Sequence, residues 1–341
     1  MTFTFSCAKV SYLWNQGLGQ LTLFRKGVKN EVLLQRNDIP EEVKSKIRKI
    51  EELKKHFYKY WTMEPTGIYS ETTLLGRDAV TYLVIASPFD TIKARENCFP
   101  FMGCFPYLGF FSEEQAKSHQ LELEEGPWVT YRRPVYAYST LGYFEDNILS
   151  SFFHYDEFGL TELIFHELFH TLFFIDDEVD LNESLANFFA REMALEFYLW
   201  SPKQKASKEA REDKLNALNE LIVDKAKVLQ DNYKKKAFNE KKVANAYLNF
   251  FLENEFKPAI AKKCQKLELK TCYPLKREWN NASFAAFLTY EKEGAKIKEL
   301  FTHVGQDLKG FFHYIKAQYE TYEEEDPEGS FTKFLMRPLV I

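Results

Sequence analysis

The sequence contains no apolar run approaching the eighteen or so residues that a membrane-spanning helix needs, so the bulk of the chain is expected to be soluble. It has no excess of positive charge: 45 Lys and Arg stand against 50 Asp and Glu, a formal net charge of -5. A weakly acidic chain has no global attraction to nucleic acid or to anionic membranes. There is no internal repeat and no low-complexity linker. The N-terminus, MTFTFSCAKVSYLW, has neither a basic n-region nor a full apolar h-region, so as written it is not a signal peptide. Cysteine is sparse, with five residues, and none of the spacings is of the CxxC type that reads as a zinc ribbon. Histidine is scarce too, seven in the whole chain.

What is present is apolar material: 45% of the 341 residues are hydrophobic and 16% aromatic. That suffices for a sizeable core, in one large domain or two lobes. The cysteines leave two readings open. Five reduced, mostly buried thiols suit a cytoplasmic protein. Two local disulfides, from Cys98, Cys104, Cys264 and Cys272, with Cys7 left over, need an oxidising compartment. Thr2 to Ser6 is apolar and small and ends directly before Cys7. This is the pattern of a lipoprotein signal whose start lies upstream of Met1. Cys7 would then carry lipid and attach the chain to a membrane in the cell envelope or periplasm.

Residues 40–60 have Pro40 where a helix can begin and apolar residues at helical spacing, Val43, Ile47, Ile50 and Leu53. AVTYLVIA (79–86) reads as a strand ended by Ser87-Pro88, and CFPYLGFF (104–111) as a second. Ser112 with Gln115 predicts a capping box for a helix up to about Glu125, closed by Gly126-Pro127. Residues 128–138 look extended, and Pro134 suggests an edge strand or a bulge. LTELIFHELFHTLFF (160–174) is helical by length and apolar nearly all round, as a buried helix would be. A second helix is expected from near Asp180 or Asn182 to about Trp200. Beyond Ser201-Pro202 the composition turns to Lys, Glu, Asn and Ala, with Leu215, Leu218, Ile222 and Leu229 marking an amphipathic helix. Lys234 to Lys236 reads as a solvated face. Residues 279–321 give two more helical patterns. The expectation is an α+β protein: a mixed lobe over 1–158 with a small, mostly antiparallel sheet, and a helical lobe over 159–341, or both as one continuous domain.

Within the buried helix, His166 and His170 are four apart, so their rings sit one turn apart on one face. Both imidazoles can reach one tetrahedral cation at about 2.0–2.1 Å. Glu167, between them, has the place of the HExxH acid. That acid does not bind the metal; it takes a proton from the attacking water and later delivers it to the leaving amine. The bland alternative is a chance match, which composition alone produces roughly once in a hundred such sequences. The residues around it, Ile164, Phe165, Leu168, Phe169 and Leu172, are apolar. Buried imidazoles there are costly unless paired or metal-bound.

A catalytic zinc needs a third protein ligand and an open position. Asp176, Asp177, Glu178, Asp180 and Glu183 follow within reach, and no glycine lies between His170 and Ser184. Glu183 is preferred because it sits in the helical segment NESLANFFA, where a ligand is held rigidly. The loop acids are expected to be solvated, and Asn182 to cap the second helix or orient a neighbour. Upstream, YSTLGY (138–143) is either an ordinary strand and turn or an edge strand that pairs with extended substrate through Tyr138, Ser139, Thr140 and Gly142. Tyr138, Tyr155 and Tyr290 are candidates to donate to an oxyanion. His154 lies outside the helix spacing and reads as structural or surface.

AYSTLGYFEDNILS (137–150) followed by LIFHELFHTLFFIDDEVDLNESLANFFA (163–190) resembles the bacterial putative zinc aminopeptidase family, many of whose members are predicted lipoproteins. CFPFMGC (98–104), YLWNQGLGQL (12–21) and WNNASFAAFLTY (279–290) resemble further family segments, so the likeness covers most of the chain. It implies a zincin-like fold with the metal helix at the junction of two lobes. It also implies a gluzincin-like site: one Zn²⁺ on His166, His170 and Glu183, with Glu167 as catalyst. It agrees with lipidation at Cys7, and it implies peptide substrates. Phe169 and Thr171 stand in place of the family's usual alanine and glutamine, which suggests a bulkier, less polar wall to the site. The activity implied is removal of N-terminal residues from peptides. An endopeptidase on the same zinc, or a non-catalytic envelope binding protein retaining the fold, are the alternatives. Glu145, Asp146 and the loop acids are candidates for holding a substrate's α-amine.

Overall fold

A computed structural model of the chain describes residues 25–99, 103–136, 145–176, 178–290, 294–325 and 329–337. In chain order the elements are β1 (Val28–Lys29), α1 (Asn30–Gln35), α2 (Glu41–Trp61), β2 (Glu71–Thr73), β3 (Thr81–Pro88), β4 (Asn97–Phe99), β5 (Gly103–Phe105), β6 (Leu108–Phe110), α3 (Glu113–Glu124), β7 (Trp128–Val135) and β8 (Ile148–Leu149). After a 3₁₀ turn at Ser150–His154 come α4 (Glu157–Leu172), α5 (Val179–Phe197), α6 (Pro202–Lys236) and α7 (Lys241–Phe251). A π-helical turn, Leu252–Phe256, leads into α8 (Lys257–Lys266). A single turn at Tyr273–Lys276 precedes α9 (Asn281–Tyr290), α10 (Gly294–Val304), α11 (Leu308–Glu325) and α12 (Phe331–Leu335). The protein is α+β, with many helices and small sheets. Among the described residues no helix is long and apolar enough to cross a membrane.

Two compact units share these elements. The first comprises Met1–Val80, Tyr136–Trp200 and Glu293–Ile341; the second comprises Thr81–Val135 and Ser201–Lys292. Residue 158, where two lobes were expected to part, falls inside the first unit. The reason is that packing, not chain continuity, makes a unit: α10 and α11 fold back onto α5. Each unit also has its own small sheet, where one was expected.

In the first unit β1 pairs antiparallel with β2, which pairs parallel with β8. Pro40 begins α2, Glu41 and Glu42 complement the dipole of its first turn, and Thr62 ends it in the left-handed region (φ 56°). Ile47, Ile50, Leu53 and Phe57 form its buried stripe, which packs against α4. The core is largely aromatic: Phe57, Phe152, Phe165, Phe169, Phe189, Phe311 and Phe331 are all fully buried. At about 1.5–3 kcal/mol for each large apolar side chain, this cluster dominates the unit's stability.

In the second unit the antiparallel order is β6-β3-β7. Pro134, opposite Tyr82, sits on the edge strand β7, where its missing N–H costs no ladder bond. The stretch 104–111 is not one strand. It breaks at Pro106 into β5, which pairs with β4, and β6, which pairs with β3. Ser112 caps α3 by accepting from the Gln115 N–H at 3.3 Å. Both halves of a capping box are present at Ser201 and Gln204, with Pro202 following, and start α6. Leu218, Ile222, Leu229 and Tyr233 of α6 pack into a core with Phe251, Phe256, Trp279 and Phe284. Lys234 to Lys236 are exposed in the last turn of α6, where they favour its dipole. Cys98 is joined to Cys104 across the β4–β5 hairpin (S–S 2.02 Å), and Cys264 to Cys272 (S–S 1.99 Å). Cys7 lies outside the described residues.

Candidate metal centre

The candidate site lies wholly within the first unit, on α4, the loop after it, and the start of α5. Asp156 caps α4 by accepting from the Gly159 N–H at 2.7 Å. One face of α4 buries Phe165 and Phe169. Phe169 stacks on Phe189 of α5 (ring centroids 4.6 Å, interplanar angle 12°) and meets Phe312 of α11 edge-on. This corrects the expectation that Phe169 walls the site: it points into the core. Thr171 returns its hydroxyl to the Leu168 carbonyl at 2.7 Å.

The other face presents His166 and His170. Their Nε2 atoms are 3.1 Å apart and their ring planes nearly perpendicular, at 86°. Glu183, in the second turn of α5, offers one carboxylate oxygen to each ring: Oε2 is 3.4 Å from His166 Nε2 and Oε1 is 3.4 Å from His170 Nε2. Four bonds of about 2.0–2.1 Å at tetrahedral angles put neighbouring ligand atoms about 3.3 Å apart. The Nε2–Nε2 separation lies near that edge, and a Glu183 oxygen lies within 4.8 Å of both rings, so the donor set can close on one small cation, and its nitrogen and oxygen chemistry suits zinc. The three residues form a group whose ligand atoms all lie within 4.8 Å of one another.

Burial is graded across the group. The His170 side chain is 1% exposed, His166 15% and Glu183 49%. The side on which Glu183 sits is therefore the one open to solvent. Burial lowers the basicity of His166, but the Glu183 and Glu167 carboxylates with Asn187 together outweigh it, and its pKa is raised. Burial likewise raises Glu183, and the two imidazoles overcome it, holding the carboxylate well below its ordinary range. Glu167 is buried beside His166, 8% exposed.

Two braces fix the loop between the helices. Asn182, fully buried, accepts from the Ile175 N–H (3.0 Å) and donates to the Ile175 carbonyl (2.7 Å), closing the loop as a backbone pair would. It neither caps α5, which begins at Val179, nor reaches the histidines through these bonds. Glu178 accepts from Ser330 Oγ (2.8 Å), Thr332 Oγ1 (2.7 Å) and the Thr332 N–H (3.3 Å), so the segment containing α12 clasps the same loop. Of the acids expected to be solvated, Asp176 and Asp180 are exposed, Glu178 is engaged in this clasp, and Asp177 lies outside the described residues.

Sequence reasoning did not single out Asn187, four residues along α5 from Glu183, whose side chain adds to the rise in the His166 pKa. The Nδ1 of His170 is buried with no partner among the described residues.

The remaining candidates are scattered. Tyr138, Ser139, Thr140 and Gly142 lie outside the described residues. Tyr155 stands just before α4, about 16 Å along the axis from His166 at 1.5 Å per residue, which puts it beyond hydrogen-bond reach of the cluster. Tyr290 ends α9, in the other unit. His154 is exposed, 3.7 Å from Asp78. Glu145 accepts from the Gly67 N–H at 3.0 Å, and Asp146 is buried, 4% exposed.

A family model described as putative aminopeptidase matches residues 11–328. The chain belongs to this putative aminopeptidase family. No curated protein and no solved structure matches it. The family's description is that of hydrolases acting on peptides, and the matched range spans both compact units and the whole cluster of His166, Glu167, His170 and Glu183.

Proposed function

We propose that this chain is a zinc-dependent metallopeptidase of the gluzincin type, with a zincin-like fold, working as an aminopeptidase. The observation that carries the reading is the convergence of His166, His170 and Glu183 from two consecutive helices, with their ligand atoms all within 4.8 Å of one another. When bound, zinc supplies Lewis acidity and makes water nucleophilic near neutral pH.

The rest of the chemistry falls to the chain's own residues. His166, His170 and Glu183 would hold the ion. Glu167 accepts the proton of the attacking water and then delivers it to the departing amine. The exposed flank of Glu183 is where a peptide reaches the site. Family membership supports peptide as the substrate class.

Activity separates this reading from its alternatives. Aminoacyl-fluorogenic substrates are expected to be cleaved and N-blocked peptides not, with activity lost to a chelator, restored by zinc, and absent from Glu167→Gln. Cleavage of the blocked peptides instead makes the enzyme an endopeptidase. Unchanged activity in Glu167→Gln overturns the proton-transfer role.

Attachment to the cell envelope through a lipidated Cys7 belongs to the same reading. The two closed cysteine pairs support an oxidising compartment. Mass spectrometry of the native protein finding an intact Met1 would refute the lipid attachment.

A further inference from the structure

Glu178 is the residue from which α5 starts, yet its side chain does not cap that helix. Its carbonyl accepts an opening bond of the helix, from the Asn182 N–H at 2.9 Å, while its carboxylate makes no cap bond. An N-cap side chain ordinarily accepts from the N–H groups of the first turn. Here both carboxylate oxygens turn instead to a segment 152 residues further along the chain. Oε1 accepts from Ser330 Oγ (2.8 Å) and the Thr332 N–H (3.3 Å), and Oε2 from Thr332 Oγ1 (2.7 Å). Bonds to an ionised carboxylate are stronger than those between neutral groups.

The other end of the same loop is held from the same side. Phe173 closes α4, its N–H donating to the Phe169 carbonyl at 3.0 Å. Its ring meets Phe312 (centroids 5.8 Å apart) and Tyr319 (6.0 Å) edge-on, and both belong to α11. The segment that grips Glu178 is anchored to α11 as well. Phe331 is fully buried and packs on Tyr319 (5.1 Å) and Tyr322 (5.3 Å), and the Tyr322 hydroxyl donates to the Gly329 carbonyl at 2.7 Å. The C-terminal part of the chain, α11 with α12, therefore holds both ends of the loop 173–178.

That loop joins the two ligand-bearing helices. His170 stands just before it, in the last turn of α4, and Glu183 just after it, one turn inside α5. The first N–H groups of a helix have no partner within it, so a helix start has little hold of its own and frays readily. Fraying of the first turn of α5 would carry the Glu183 carboxylate away from the two rings. What stands against it is the Asn182 brace on Ile175 and the grip of Ser330 and Thr332 on Glu178.

We propose that residues 330–335 are a latch on the metal centre: Ser330 and Thr332 are positioning residues that place Glu183 through Glu178, and docking of this segment and binding of the ion strengthen each other. Neither hydroxyl touches the ion. The coupling runs through the start of α5, and by thermodynamic linkage it is the same in both directions. The inference rests on the zinc reading of the site.

The test compares the full-length chain with a double variant, Ser330→Ala with Thr332→Val, and with Thr332→Ser, which keeps a hydroxyl. In competition with a chromophoric chelator, the double variant is expected to bind zinc about tenfold more weakly, and Thr332→Ser within about twofold of wild type. Equal affinity in the double variant and the wild type overturns the latch and leaves the zinc reading standing. Thermal melting checks that the double variant is folded, and a measurement on the wild type alone decides if it is not. Saturating zinc should raise hydrogen-exchange protection at residues 331–335 about tenfold more than at residues 218–233, which lie in the other unit. A rise no larger at 331–335 than at 218–233 overturns the latch. A wild-type chain that takes up no zinc overturns the zinc reading, and the latch with it.

Discussion

Glu183→Ala removes one of three protein ligands and should weaken zinc binding far more than it weakens the fold. Folding-linked zinc sites with four protein ligands carry about 10–16 kcal/mol in all, roughly 2.5–4 kcal/mol per ligand. At about 1.4 kcal/mol per decade, losing one ligand raises Kd by about two to three orders of magnitude. The side chain is 49% exposed, so solvent screening moves the expectation to the lower end, about a hundredfold. Glu183→Gln keeps the shape but loses the charge that both imidazoles face, and should fall between. Glu167→Gln serves as control, because its carboxylate is not a ligand: zinc affinity should hold within about threefold while turnover disappears. The assay is competition for zinc against a chromophoric chelator, with metal content measured on protein purified without added zinc. Wild-type affinity in Glu183→Ala, or no metal in the wild type at stoichiometric supply, would refute the reasoning, since the three spacings of 3.1, 3.4 and 3.4 Å would then have no ion to explain them.

Other expectations follow from single contacts. Asn182→Ala leaves the Ile175 N–H unpaired in a buried loop and its carbonyl with only the Glu178 N–H, so a loss of about 1–3 kcal/mol in urea unfolding of the intact chain is expected, together with weaker zinc binding. Phe169→Ala opens a cavity against Phe189 and Phe312 and should cost about 3–5 kcal/mol by the same measurement, with substrate preference unchanged because the ring faces the core. Burial raises the Glu178 carboxyl, but its bonds from Thr332 and Ser330 outweigh this and hold it below the ordinary value. A depressed folded-state pKa stabilises above the unfolded value, about 4.3, and that contribution is lost as pH falls through the folded one. Hydrogen-exchange protection of residues 331–335, relative to the unstructured rate at the same pH, should therefore fall on acidification in the wild type and be low already at about pH 7 in Glu178→Gln. Closing a loop of about eight residues is worth about 2–3 kcal/mol in the chain-entropy account, so Cys264→Ser with Cys272→Ser should lower the melting temperature, and none of the four paired cysteines should take up an alkylating reagent before reduction.

The residues around the candidate centre were legible because their signals are local. A four-residue spacing on one helix brings two rings together whatever the rest of the chain does, and an acid on the next helix can turn back over a short loop. Helix starts at Pro40, Ser112 and Ser201 were equally local, each a matter of one residue's backbone or hydroxyl. The rest required contacts between distant parts of the sequence. Nothing near residue 158 reveals that α10, α11 and α12 return to pack in the same unit as α5, so the division into compact units was not readable. Phe169 gave no sign of which way it faces on a helix apolar nearly all round. Asn187 was closer to hand, one turn beyond Glu183, and was overlooked because an amide has no place in the ligand motif itself.

The interleaving of the two units bears on how the chain is made. A nascent chain folds from its N-terminus as it emerges. The second unit is complete once residue 292 has appeared, but the first still waits for the final stretch that supplies α10 to α12 and the hydroxyls gripping Glu178. The helices bearing His166, His170 and Glu183 emerge before those packing partners and stay without them until residues 294–335 have been made. Any ion they bind tightly would thus be acquired only after that stretch has emerged.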